Sequence, residues 1–424
     1  MTPPYAINNP PAPGPEGQPQ ASGPKGPQST TYDANTGVFA DPAGGTGVFN
    51  AGSSNGDAGE SWVDLMKDQE MLKSEIKVAT LIAAGALALA ACGSSSSGGG
   101  STSPSSSGSP SASCTPSSVK VGMAYDIGGR GDKSFNDSAA AGLDQAVKEL
   151  CVTSKELSAV PNETDAQKAA RLTLLAQAGY NPIIAVGFAY AASMDKVAKA
   201  NPDVNFAIID DASSQLPNLA NLTFAENQGS YLVGAIAAQA SKTGNIGFVG
   251  GVETDLIKKF EVGYAAGAKA VNPNIKIDSK YLTQPPDFSG FNSVDKGKAA
   301  AEGMYQGGAD IVYHAAGGSG GGVFTAAKAA GKMAIGVDSD QAKTAAADVR
   351  DVIMTSMIKK VDVGVYEFIK SVHAGSFKGG VKTFDLKAGG VDYSTTGGHI
   401  DDITSKLDEY KKQIIDGTIT VPAK

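Results

Sequence analysis

From residue 119 onward the chain alternates two kinds of segment. Short, continuous apolar runs predict strands at Val119–Tyr125, Pro182–Val186, Phe206–Asp210, Ile246–Val249, Ile275–Leu282, Ile311–Tyr313, Met333–Val337 and Val352–Thr355. Between them, apolar residues recur at helical spacing near Phe135–Leu150, Thr164–Gln177, Tyr190–Ala200, Gly229–Ala240, Thr254–Ala270, Ser293–Gln306 and Gly322–Ala330. Strands without a polar face, separated by helices, predict parallel sheets covered on both sides. The 119–424 stretch is long enough for two such lobes. It shows no internal period of 20–50 residues that would indicate a solenoid.

The first 118 residues read differently. Nine of the first 27 are Pro, and apolar residues stay sparse as far as Ser61. Such a segment buries too little apolar surface to offset its ordering entropy. Residues 1–70 are therefore a disordered leader, or lie ahead of a true start at Met66 or Met71. From Met71 the pattern changes again. Lys73 and Lys77 precede an apolar run, Val78 to Ala91, that is too short for the ~20 residues of a membrane-spanning helix. A positively flanked run of this length predicts a signal peptide over 71–91. Its end, Leu89-Ala90-Ala91-Cys92, looks like a bacterial lipobox, in which the cysteine is acylated and becomes the first mature residue. Residues 93–118 are nearly all Ser and Gly, a tether with an end-to-end distance of roughly 25–30 Å. The expected location is the outer face of the cytoplasmic membrane, held by a lipid anchor such as palmitate.

Composition narrows the function. Lys and Arg total 35 against 43 Asp and Glu, a net charge of −8, so nothing favours a nucleic-acid binder. Three Cys and three His (His314, His373 and His399) are too few and too scattered for a zinc site, and no metal or cofactor is expected. Outside the cytoplasm, Cys114 and Cys151 are candidates for a structural disulfide, the alternative being two unpaired thiols. No CxxC supports a redox role.

In open parallel sheets, ligands sit beyond the carboxyl ends of the strands. Here those ends carry Gly, acids and aromatics but few nucleophile–base pairings. The turn Gly128-Gly129-Arg130-Gly131-Asp132-Lys133-Ser134 is no P-loop, because Asp132 holds the place of the glycine that must precede Lys-Ser. It reads instead as a tight turn presenting Phe135 and Asn136. The acids Asp126, Asp210, Asp211, Glu253, Asp338 and Asp340 are open to three roles: acid–base pair, hydrogen-bond acceptors for a ligand, or helix caps. Gly317–Gly322 suits either close backbone approach to a ligand or a plain flexible loop.

The string VGMAYDIGGRGDKSFNDSAAAGL (121–143) resembles the basic membrane protein family of bacterial substrate-binding lipoproteins, whose best-understood members are purine-nucleoside receptors of ABC transporters. The likeness continues through FAIIDDA (206–212), SKTGNIGFVGG (241–251), AAGGSGGGVFTAAKAAG (315–331), AIGVDSDQ (334–341) and TSMIKKVDVGVYEFIK (355–370), and covers 119–424. It implies a type I periplasmic-binding-protein fold: α/β, two Rossmann-like lobes joined by crossover strands, ligand in the cleft, no catalysis. Lobe one is expected over 119–224 plus 352–378, and lobe two over 225–351 plus 379–424.

The resemblance also implies site roles. Asp126 lines the cleft, Phe135 stacks on the base, and Asn136 and Asp210 hydrogen-bond to it. Asp338 and a lysine of TSMIKK, Lys359 in preference to Lys360, hold the ribose hydroxyls. The second stacking ring is expected at Phe291, with Phe288 the alternative, because TQPPDFSGFNSVDKGK departs from the family pattern with extra residues. The expected partners are a nucleoside and an ABC permease, with the protein itself a monomer. The competing functions are an extracellular nucleoside or glycoside hydrolase and a sugar-binding sensory lipoprotein.

Overall fold

The computed structural model describes residues 115–424, together with a two-residue antiparallel pairing of Tyr32–Asp33 with Val38–Phe39. Apart from that pairing, the expected leader lies outside the described residues. So do the signal peptide, Cys92, Cys114 and the tether through residue 114.

The first sheet begins with β1 (Lys120–Tyr125), whose Val121, Met123 and Tyr125 face one core while Ala124 faces another. This period-2 alternation with both faces apolar is what lets helices cover both sides. There follow α1 (Phe135–Leu150), β2 (Thr153–Ser158), α2 (Asp165–Gln177), β3 (Ile183–Ala185), α3 (Ala191–Ala200), β4 (Phe206–Ile209) and β5 (Leu219–Phe224). On α1 the buried Ala139, Ala140, Leu143 and Ala146 recur at helical spacing and form its inward stripe. A capping box between Thr164 and Gln167 starts α2.

The second sheet repeats the winding with α4 (Glu226–Ala240), β6 (Asn245–Val252), α5 (Asp255–Val271), β7 (Lys276–Thr283), α6 (Val294–Gln306), β8 (Ile311–Ala315), α7 (Gly320–Ala330), β9 (Met333–Asp338), the short α8 (Gln341–Thr344) and β10 (Ile353–Lys359). The chain then runs through α9 (Val361–His373), β11 (Gly380–Phe384), β12 (Val391–Tyr393) and α10 (Thr404–Ile415).

Strand order is β11-β5-β4-β3-β1-β2 in one sheet and β12-β10-β9-β8-β6-β7 in the other. The two orders are the same topology used twice. Every neighbouring pair is parallel except β10 with β12.

The chain passes between the lobes three times: from β5 into α4, from β10 into α9 (which packs on α1), and from β11 into β12. The last two passages differ from expectation. Residues 353–359, expected to open the return into lobe one, form the fifth strand of the second sheet, paired along β9. Residues 380–384, expected in lobe two, pair with β5 in the first sheet. The reason is physical: neither run carries a pattern that specifies one sheet over the other, and only the pairing partner decides. Four strands escaped sequence reading altogether. Of these, β2 is an exposed edge with no apolar face, and β11 and β12 are short edge strands.

Cys151 caps α1 in a left-handed conformation and is disulfide-bonded. Its expected partner, Cys114, lies outside the described residues, so that pairing stands as a proposal. Among the described residues no helix is long and apolar enough to cross a membrane.

Candidate functional site

The glycine-rich turn after β1 is organised by Asp132. Its carboxylate accepts from the backbone N–H of Ser134 (2.9 Å), Asn136 (2.8 Å) and Asp137 (3.0 Å). It therefore satisfies the free N–H groups at the start of α1, the capping role that Ser134 would otherwise fill. Two consequences follow. Phe135 and Asn136 are presented rigidly at the helix start, and the Ser134 hydroxyl is free to donate across the lobes to Asp338 Oδ2 at 2.6 Å.

Asn136 donates to Asp126 Oδ1 (2.8 Å) and Asp132 Oδ2 (3.1 Å), which consumes both amide hydrogens. Its carbonyl oxygen is buried without a hydrogen bond inside the protein, as is Asp210 Oδ1. Both residues line one cleft, where a ligand donor would complete them. Gly187, at the end of β3, has φ 106°, and any Cβ there would collide with the Asp126 carboxylate.

Asp210 after β4 and Asp338 at the end of β9 occupy matching places in the two repeats. Both adopt the left-handed region, at φ 68° and 63°, unusual for a residue with a side chain. Opposite them Lys359, the last residue of β10, reaches Asp210 Oδ2 at 2.5 Å and Glu226 Oε1 at 3.1 Å. Its ammonium also lies 5.1 Å from the ring centres of Phe135 and Phe224 and 5.6 Å from that of Phe260.

Burial dominates the electrostatics. It pushes Asp338 up to about 7 against the pull of Lys359 and Ser134. It raises Asp210 to about 6, again opposed by Lys359. Asp126 is raised well above the carboxylate range by the same desolvation. Burial works against the charge on Lys359, yet Asp210 and Glu226 together hold its affinity for the proton above that of a free lysine.

Asp126, Phe135, Asn136, Asp210, Phe291, Asp338 and Lys359 all line this single cleft. Phe135 comes from the first lobe and Phe291 from the second, after β7. Lys360 does not line it; it starts α9, its carbonyl accepting from Gly364. Phe288 stands further out, edge-on to Phe188 at 5.9 Å and beneath Lys168.

The remaining acids serve local structure. Asp211 holds Ser213, Glu253 pairs with Lys258 and accepts from Gln284, and Asp340 accepts from Thr396. The glycines of 317–322 are mixed in purpose. Gly317 lines the cleft, whereas a Cβ on Gly320 would overlap the buried His314 ring.

Sequence reading missed Phe188, Ile257, Phe260 and Glu226. Phe188 carried a usable signal, since it sits at the strand end VGFAY. Ile257 and Phe260 did not, because on an amphipathic helix they look like any core residue.

The sequence profile of the family described as "ABC transporter substrate-binding protein PnrA-like" matches residues 119–424. The chain belongs to that family. Basic membrane protein A of Borreliella burgdorferi is 35% identical over 302 residues, covering 69% of this chain and 84% of the relative. The ABC transporter nucleoside-binding protein BmpA of Lactococcus lactis is 35% identical over 378 residues, covering 84% of this chain and all of the relative. The CD4+ T-cell-stimulating antigen of Listeria monocytogenes is 37% identical, covering 81% and 97%. Among solved structures, an ABC transporter solute-binding protein from Aeropyrum pernix superposes with a TM-score of 0.62 at 29% identity, over 72% of this chain and 94% of that one. A solute-binding protein from Conexibacter woesei, at 23% identity and a TM-score of 0.59, shows the same fold. The chain is thus a type I periplasmic-binding-protein fold in a family of ABC-transporter substrate-binding proteins.

Proposed function

We propose that this protein is a lipid-anchored receptor that binds purine nucleosides between its lobes and delivers them to an ABC importer. One observation carries the reading. The cleft combines an aromatic ring from each lobe with an amide–carboxylate pair (Asn136, Asp126), a buried Lys359 ion-paired to Asp210, and Asp338. Rings suit the faces of a base, the unpartnered oxygens of Asn136 and Asp210 its edge, and Lys359 with Asp338 a sugar diol. The nucleoside-binding relative from Lactococcus supports the same class.

Calorimetry with adenosine, guanosine, cytidine, adenine and ribose tests this, with chromatography of the ligand afterwards. Tight purine-nucleoside binding with the ligand recovered intact is expected. Release of free base would establish the hydrolase instead. The anchor is tested separately: Cys92→Ser should move the protein from the membrane fraction to the soluble fraction or leave it uncleaved, and an unchanged membrane fraction refutes lipidation at Cys92.

A further inference from the structure

Lys359 and Glu226 sit at two of the three passages between lobes. Lys359 ends β10 just before the second, and Glu226 opens α4 just after the first. Each side chain is 1% exposed. Glu226 is not part of the cleft lining, so it acts on a ligand only through a neighbour.

That neighbour is Lys359. An ammonium carries three N–H donors in fixed tetrahedral directions. Asp210 Oδ2 accepts one at 2.5 Å, and Glu226 Oε1 lies 3.1 Å away as an ion-pair partner that accepts no hydrogen bond. Aromatic rings of Phe135, Phe224 and Phe260 pack around the same group. The Asp210 hydrogen bond and the Glu226 charge together fix where the ammonium sits, at the lining of the cleft. The other Glu226 oxygen faces Lys259 at 3.6 Å, a cation about one-third exposed. Among the described residues neither Glu226 oxygen accepts a hydrogen bond, and these two ammonium groups are the cations ion-paired with it.

Stability alone is a weak reason for such a cluster, since well-packed apolar residues often replace buried ion pairs at no loss. Directing a hydrogen bond is a stronger one.

We propose that Glu226 is a positioning residue for ligand recognition: its charge, with the Asp210 hydrogen bond, holds the Lys359 ammonium where a remaining donor meets a ligand hydroxyl. Selectivity for a hydroxylated sugar then depends on a carboxylate that never touches it. This rests on the reading of Lys359 as the sugar's donor, and the test separates the two.

The full chain is titrated calorimetrically with adenosine, 2′-deoxyadenosine, 3′-deoxyadenosine and adenine. In the unmutated protein, adenosine should bind at least about tenfold more tightly than one of the deoxy analogues, the size of one hydrogen bond to a charged group. Glu226→Gln keeps the shape and removes the charge. It should shrink that ratio below about threefold while changing adenine affinity by less than about twofold. If Glu226→Gln does not fold, Glu226→Asp, which withdraws the carboxylate by one methylene, should shrink the ratio likewise. A ratio kept at its original value in the folded variant overturns the role of Glu226 and leaves Lys359 in place. Equal weakening of all four ligands reduces Glu226 to a structural residue and also overturns it. No hydroxyl preference in the unmutated protein removes the sugar-donor reading of Lys359, and the inference with it.

Discussion

At the scale of single residues, the proposed receptor stacks a base on Phe135 and Phe291 and leaves hydrogen bonding to the polar groups of the cleft. Base–aromatic stacking is worth roughly 1–3 kcal/mol per base, so Phe135→Ala and Phe291→Ala should each weaken purine-nucleoside binding about 5- to 150-fold by calorimetry. Phe288→Ala, outside the lining, should stay within about threefold of the unmutated protein. Asp338 makes a prediction about pH. Its folded value of about 7 exceeds that of a free carboxylate, so between pH 4 and 7 the folded state binds more protons than the unfolded one. Stability therefore falls as pH rises through that window. Thermal melts should show a higher Tm at pH 5 than at pH 7.5, and Asp338→Asn, a mimic of the protonated acid, should flatten the slope. Asp126 is raised with the same sign, so the slope is reduced and not abolished. Asp126, Asp210 and Asp338 were legible beforehand because they sit at strand ends, while the roles of Phe135, Asn136, Phe291 and Lys359 came from the family resemblance. Lys359 was preferred to Lys360 within the family resemblance, whereas composition alone does not say which of two adjacent residues faces the cleft.

At the scale of elements, helix packing rests on close backbone approach. A Cβ on Gly322 in α7 would overlap the Val294 carbonyl of α6. Gly322→Ala should therefore destabilise by about 1–3 kcal/mol, the usual cost of overpacking. Gly303, also in α6, is exposed and would meet nothing within 4 Å. Gly303→Ala should instead stabilise by about 0.5–1 kcal/mol, by lowering the entropy of the unfolded chain. Denaturant melts of the two variants, opposite in sign, check both. The helices that carry these glycines were readable from apolar spacing. The contact between them was not, because spacing within one helix holds no information about its neighbour's carbonyls.

At the scale of the whole molecule, two lobes meet across a cleft and are joined by three chain passages. Direct hydrogen bonds also cross it: Ser134 to Asp338 (2.6 Å), Ser339 to the Ser134 carbonyl (3.2 Å) and Gln341 to the Lys133 carbonyl (3.0 Å). Such a hinge should close on its ligand. Small-angle scattering should show a smaller radius of gyration with saturating adenosine, and an identical profile would refute hinge closure.

What the sequence determined by itself is everything that local pattern encodes. The alternation of buried strands and amphipathic helices set the α/β class. The polar strand ends marked where ligand chemistry gathers, and DKSFN placed Phe135 and Asn136 at a helix start. Tertiary structure alone decided the rest. It sent residues 353–359 to the second sheet and 380–384 to the first, because strand pairing depends on a partner far away in the chain. It brought Ile257 and Phe260 to the cleft, where sequence showed only apolar residues of an amphipathic helix. It also set Glu226 beside Lys359 across 133 positions of chain (359 minus 226), a proximity that no spacing rule could reveal because it exists only once both passages between the lobes have formed.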